Sequence, residues 1–124
     1  MILLDTSVLV ELFRIKDKHK SFFYRLAEKE NAFSISVITH YEIMVGSNDS
    51  QDPFWEKFFE SISILPFDTV CSGAAVKIYK ELKSKNKMID LADITVAATA
   101  IANKLPLATL NKKHFDRVRS LELV

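Results

Sequence analysis

Short apolar runs alternate along this chain with longer stretches of helical period. Ile2-Leu3-Leu4 is a compact apolar run ending at Asp5, and it reads as a buried strand. Thr6 or Ser7 then caps a helix predicted over Val8 to Arg14. Phe22, Phe23, Leu26 and Ala27 recur at helical spacing, which predicts a second helix over residues 18–30. Phe33-Ser34-Ile35-Ser36 alternates apolar and polar, as a strand does. It leads into a helical stretch holding Ile38, Tyr41, Glu42 and Val45, closed by Gly46 and the polar Ser47-Asn48-Asp49. Phe54, Trp55, Phe58, Phe59 and Ile62 form an aromatic helical stripe wide enough for both core and partner surface.

Ile64-Leu65-Pro66-Phe67 is the next strand, with Pro66 tolerable at an edge or a strand end. A helix over Val70–Ser84 follows, its lysine-rich end suiting the C-terminal dipole. The alanine-dense stretch Leu91–Asn103 is the strongest helix in the chain. Leu107–Leu110 and Leu121–Val124 are the last strands, with a helical turn over 112–117 between them. Five short apolar strands interleaved with helices predict an α/β layered domain around a mainly parallel central sheet. Residues 1–124 hold no repeat or linker and read as one domain.

Composition narrows this further. A length of 124 residues supports one core but not two. Two glycines and three prolines supply too few tight turns for an all-β sandwich. The lone Cys71 excludes a disulfide framework and a cysteine-rich zinc site; it suits a reducing cytosol and reads as a small core residue. No stretch nears the roughly 18 apolar residues of a membrane span, and no basic leader precedes Asp5, so a cytoplasmic location is expected. Net charge is only +1, but its placement is uneven. Residues 1–76 carry 7 Lys/Arg against 11 Asp/Glu, whereas residues 77–124 carry 10 against 5. An acidic half joined to a basic half hints at a polyanionic partner, although a solvated lysine-rich helix face fits as well.

With glycines only at 46 and 73, no glycine-rich phosphate loop is present. His19, His40 and His114 are too scattered to pair on a helix for zinc, and no serine sits in a nucleophile elbow. His40 and His114 read as surface or partly buried residues, and kinases, cofactor dehydrogenases and serine hydrolases are disfavoured. What remains is carboxylates. Asp5 follows the first strand, Glu42 lies six residues past Ser36, and Asp93 sits in the first turn of the alanine-rich helix with Asp90 before it. Asn111 follows the Leu107–Leu110 strand. Carboxyl ends of parallel strands face the crevice where ligands bind, so neighbouring strands would bring these side chains together. Converging carboxylates repel unless a hard divalent cation lies among their oxygens, and such a cation supports phosphodiester hydrolysis. Each acid also has a plainer reading: Asp90 with Asp93 and Thr39 with Glu42 have capping-box spacing, and Asp5 can cap the first helix.

Leu3-Leu4-Asp5-Thr6-Ser7-Val8-Leu9, Ser36-Val37-Ile38-Thr39 running to Glu42, Asp93 through Ala100, and Ala108-Thr109-Leu110-Asn111 through His114-Phe115 together resemble a PIN domain. The resemblance covers essentially the whole chain, and its size matches the VapC-type toxins of toxin–antitoxin pairs. It implies a three-layer α/β/α fold and a metal-dependent endoribonuclease. Asp5, Glu42 and Asp93 match the three acids that bind Mg²⁺ or Mn²⁺ in that family. Asn111 stands where a fourth acid is often found, leaving Asp90 or Asp116 as possible substitutes. Thr6 or Ser7 offers a hydroxyl to the metal shell or the scissile phosphate, or simply caps the helix. Lys85, Lys87, Lys112, Lys113 and Arg117 of the basic half would hold RNA phosphates. The resemblance also implies a homodimer, and an antitoxin whose peptide blocks the crevice. Two other readings stay open: a non-catalytic PIN module that binds RNA or protein, and a phosphoryl-accepting receiver domain, which would usually pair acids near its start.

Overall fold

In a computed structural model describing residues 1–124, the first apolar run forms β1 (Ile2–Leu4), flanked on both sides by parallel neighbours. The chain continues through α1 (Thr6–Arg14), a 3₁₀ turn at Lys18–Lys20, α2 (Phe22–Ala27), β2 (Phe33–Ser36), α3 (Val37–Gly46), α4 (Asp52–Glu60) and β3 (Ser63–Leu65). It closes with α5 (Thr69–Ser84), α6 (Leu91–Ala102), β4 (Leu107–Ala108) and α7 (Lys112–Phe115). The sheet order is β3-β2-β1-β4, and every pairing is parallel.

That order explains the layers. From β1 to β3 the chain steps one way across the sheet, and then it crosses back beyond β1 to β4. Right-handed crossovers place helices on one face for the first direction and on the other face for the second. The cores agree. Ile2 and Leu4 point into a cluster with Val8, Leu9, Leu26, Ile43 and Trp55 from α1 to α4. Leu3, one residue out of phase, points into the opposite cluster with Ile78 and Leu82 of α5 and Val96 and Ala100 of α6. Alanines at 97, 98 and 100 are wholly buried, letting α6 approach closely.

Three sequence expectations need correction. The sheet has four strands and not five, since residues 121–124 contribute only a single parallel bridge, Leu107 to Leu123. The helix expected over 18–30 is broken at Ser21, whose hydroxyl accepts from the Tyr24 amide and starts α2. Lys18 meanwhile turns its ammonium back to the Phe13 and Ile15 carbonyls, where it satisfies the frayed end of α1. Thr39 and Glu42 do not form a capping box. Ser36 is the cap of α3, accepting from the Thr39 amide at 3.0 Å. Because Ser36 is fully buried, Ser36→Ala should cost about 1 kcal/mol, within the usual 0.5–2 for a lost cap. Urea unfolding at unchanged m-value measures it.

Candidate active site

The order in which strands are added reverses between β1 and β4, and it is at such a switch point that a crevice opens beyond the carboxyl ends of strands. Asp5 stands there as the first residue after β1, its amide bonded to the Ala108 carbonyl at 2.9 Å. Its side chain is 3% exposed. Ser7 and Thr109 hydroxyls both donate to Asp5 Oδ2, at 2.7 and 2.8 Å, while Oδ1 receives no side-chain donor. Two further bonds knit the turn after β4 to this point: the Leu110 amide donates to Ser7 Oγ and the Asn111 amide to Thr109 Oγ1. Asp5 is therefore fixed by one oxygen and free at the other. It precedes α1 but makes no side-chain cap bond to it.

Glu42 is aimed in a different way. Thr6, the first residue of α1, donates from Oγ1 to Glu42 Oε1 at 2.8 Å and lies 3.0 Å from Thr39 Oγ1. Buried Thr39 reaches Ser36 in turn, so a row of hydroxyls runs from the end of β2 to the carboxylate on α3. Thr6 thus acts on an acid, which sequence alone leaves open against capping. Asp93, in the first turn of α6, faces His114 of α7, with Oδ2 3.3 Å from Nδ1. Burial, and then the negative charge of Asp5, push the Asp93 carboxyl above the ordinary aspartate range, and His114 opposes the shift.

These three acids line one open cavity of about 690 Å³, together with Thr6, Ser7, Asn111, Glu11 and Arg14. Four carboxylates surround it against the single cation Arg14. No three acidic or histidine side chains stand close enough to close on an ion by themselves. That donor set still fits magnesium, which is held by one or two carboxylates and keeps several waters, better than a cation that needs an all-protein cage.

Sequence reading missed Glu11, Arg14 and Thr109, and it read His114 as a surface or partly buried residue. His114 is exposed, yet it is also the neighbour of Asp93. A signal for the first two existed: Ser7, Val10, Glu11 and Arg14 follow the i, i+3, i+4, i+7 spacing of one helix face. Asp90 precedes α6 without a side-chain cap bond and is a minor contributor to the upward push on Asp93, and Asp116 lies past α7, outside the cavity. Among the basic residues, Lys112 and Lys113 line an adjoining groove. Lys85 is paired with Glu81 at 2.9 Å, Arg117 donates to the Met88 carbonyl, and exposed Lys87 lines neither cavity.

The crowding has a consequence for stability. Because the folded protein holds the Asp93 proton more tightly than the unfolded chain, ionising Asp93 opposes folding. The penalty is absent below the ordinary aspartate range and complete once pH exceeds the raised value. In chelator at neutral pH, Asp93→Asn should therefore melt higher than the parent protein. The gap should close as pH falls through that window, as thermal melts at several pH values will register.

Comparison with known proteins agrees with this geometry. The PIN domain family matches residues 2–121. Ribonuclease VapC1 of Methanocaldococcus jannaschii is 37% identical over 123 residues, covering 98% of this chain and 84% of that protein. The tRNA(fMet)-specific endonuclease VapC of Shigella flexneri is 28% identical, covering 96% of this chain and 92% of its own. In the crystal structure of VapBC2 from Rickettsia felis bound to a DNA fragment from their promoter, a chain 28% identical superimposes with a TM-score of 0.87. That match covers 100% of this chain and 98% of the other. Strand order, acidic crevice and matched span converge, and the chain belongs to the PIN-domain family.

Proposed function

We propose that this protein is a metal-dependent endoribonuclease, the toxin of a type II toxin–antitoxin pair, acting as a single domain over residues 1–124. The observation that carries this reading is the meeting of Asp5, Glu42 and Asp93, from three separate elements, around one cavity at the switch point of the sheet. Relatives named as ribonucleases along nearly the full chain support the same activity.

Asp5, Asp93 and Glu42 would hold Mg²⁺ or Mn²⁺, the free Asp5 Oδ1 being the best-prepared ligand atom. When bound, the ion supplies charge to polarise the phosphoryl oxygen and to make water acidic enough to act as nucleophile. Ser7 and Thr109 keep Asp5 in place, and Thr6 turns Glu42 toward the cavity. Arg14, which lines the cavity, would pair with a phosphate of the bound RNA, for which its planar fork is suited. Asn111 offers an amide where an acid would add charge. Lys112 and Lys113 attract the flanking backbone.

The partners follow from the same reading: an RNA substrate, an antitoxin protein and a second copy of this chain. A solved relative is a VapBC complex, which supports the antitoxin. Exposed apolar Tyr41 and Val45 on α3, Val70 on α5 and Leu91 on α6 offer surface for protein partners. No helix is long and apolar enough to cross a membrane, and RNA as substrate favours the cytoplasm.

Incubating partner-free protein with RNA tests the activity. Cleavage should require Mg²⁺ or Mn²⁺ and stop in chelator. Cleavage that persists in chelator sinks the metal mechanism, and absence of both cleavage and calorimetric metal binding returns the chain to a non-catalytic module.

A further inference from the structure

Beside the acidic cavity runs a second depression of about 530 Å³, and the two share Leu110 and Asn111 as a common wall. Its character is opposite. Arg25, Lys112, Lys113 and His114 line it, and no carboxylate does. None of Arg25, Lys112 and Lys113 takes part in an ion pair, whereas Lys85 does. Three unneutralised cations gathered in one groove repel each other, and they lower that cost only when an anion is present.

The groove also has an aromatic side. Half-buried Phe22 lies in it, and the Arg25 guanidinium sits 5.6 Å from the centre of that ring. The pair is three residues apart on α2, so both project from one helix face. Phe22 is not loosely placed. Its amide donates at 2.6 Å to Glu11 Oε1, and Glu11 lines the acidic cavity on the other side. The helix carrying the ring is thereby tied to the helix that borders the acids. Unpaired bases stack on aromatic rings and on arginine planes, and their phosphates seek lysine and arginine.

We infer that this groove is the subsite for an unpaired nucleotide next to the scissile linkage: its base lies against Phe22 and Arg25, and its phosphate against Lys112 and Lys113. The inference rests on the ribonuclease reading and adds to it the direction in which the strand leaves the acids, over Asn111 toward α2.

The test is binding, read in chelator by fluorescence anisotropy of a short labelled single-stranded RNA across a salt series. Lys112→Gln with Lys113→Gln should flatten the dependence of log K on log salt by about 0.7 per lost phosphate contact. Near 0.1 M salt that is about fivefold weaker binding per contact. Phe22→Leu should weaken the RNA by about tenfold while leaving the salt slope unchanged, as expected for stacking. A polyglutamate peptide of equal charge should compete poorly. Lys77→Gln, in a separate cleft lined by α5 and α6, serves as the control, with slope changes compared per charge removed. The inference falls if Lys77→Gln flattens the slope as much as the groove variants do. It falls too if polyglutamate competes as well as RNA, which would make the groove a site for acidic protein. Those outcomes leave cleavage by the parent protein intact. A parent protein that neither cleaves nor binds RNA would bring down the ribonuclease reading and this inference with it.

Discussion

Asp5→Asn should lower RNA cleavage by more than about 100-fold, beyond the 10–100-fold typical when only an outer partner of a metal ligand is removed. The contrast with Thr109→Val makes this informative. Thr109 holds Asp5 Oδ2 and does not line the acidic cavity, so its loss leaves Ser7 as the one hydroxyl steadying that oxygen and loosens the carboxylate without removing it. Cleavage by Thr109→Val should fall within that 10–100-fold range, and excess Mn²⁺ should recover part of it. Asp5→Asn keeps shape and hydrogen bonding but removes charge, so added metal should not rescue it. Both proteins should remain folded by circular dichroism. Equal activity of Asp5→Asn and the parent protein would separate the crevice from the chemistry altogether.

The second large effect is structural. Phe115 is the largest wholly buried side chain, and it closes the core beneath α5 and α6 with Leu3, Leu107 and Val118. Phe115→Ala should cost about 3–5 kcal/mol, the range for deleting a buried aromatic ring. Against a total of about 5–15 kcal/mol for a domain, that is a large share. Phe115→Leu conserves most of the volume and should cost less, about 1–1.5 kcal/mol. Urea titration of both proteins measures the difference. The effect reaches the site because α7 is only one turn long and carries His114 immediately before its anchor. Without the ring, nothing in four residues of helix holds His114 against Asp93. Cleavage by Phe115→Ala should thus fall even at temperatures where it is fully folded. A cost below about 1 kcal/mol would mean that α7 is anchored by other contacts.

The two lysine-rich segments look alike in sequence and differ in the fold. Lys112 and Lys113 line the groove next to the acids because α7 begins where β4 ends. Lys85 and Lys87 follow α5, and Lys85 is spent on Glu81, one helical turn away. Neutralising Lys85 and Lys87 together should accordingly weaken RNA binding far less than neutralising Lys112 and Lys113.

Local pattern determined a good deal about this protein. Apolar runs marked β1, β2 and β4, helical periodicity marked α3, α5 and α6, and the acids near strand ends and helix starts marked side chains that the fold gathers round one cavity, because period and boundary residues are properties of a few neighbouring positions. The fifth strand failed for a tertiary reason: residues 121–124 have strand-like alternation, but beside the two-residue β4 only one bridge forms. Likewise Thr39-x-x-Glu42 matches a capping box by spacing, yet β2 ends at Ser36 and hands the cap to that residue, leaving Glu42 to Thr6. Which hydroxyl serves which carboxylate, that Glu11 and Arg14 border the acids, and that a basic groove adjoins an acidic one were decided by the fold. The adjacency of β1 and β2 pairs Thr6 with Glu42, and the reversal of strand order between β1 and β4 sets the contacts of Thr109 and α7. That reversal brings residues about a hundred positions apart within hydrogen-bond reach, as Thr109 and Asp5 are. No window of sequence contains such a pair, so only the folded chain could select it.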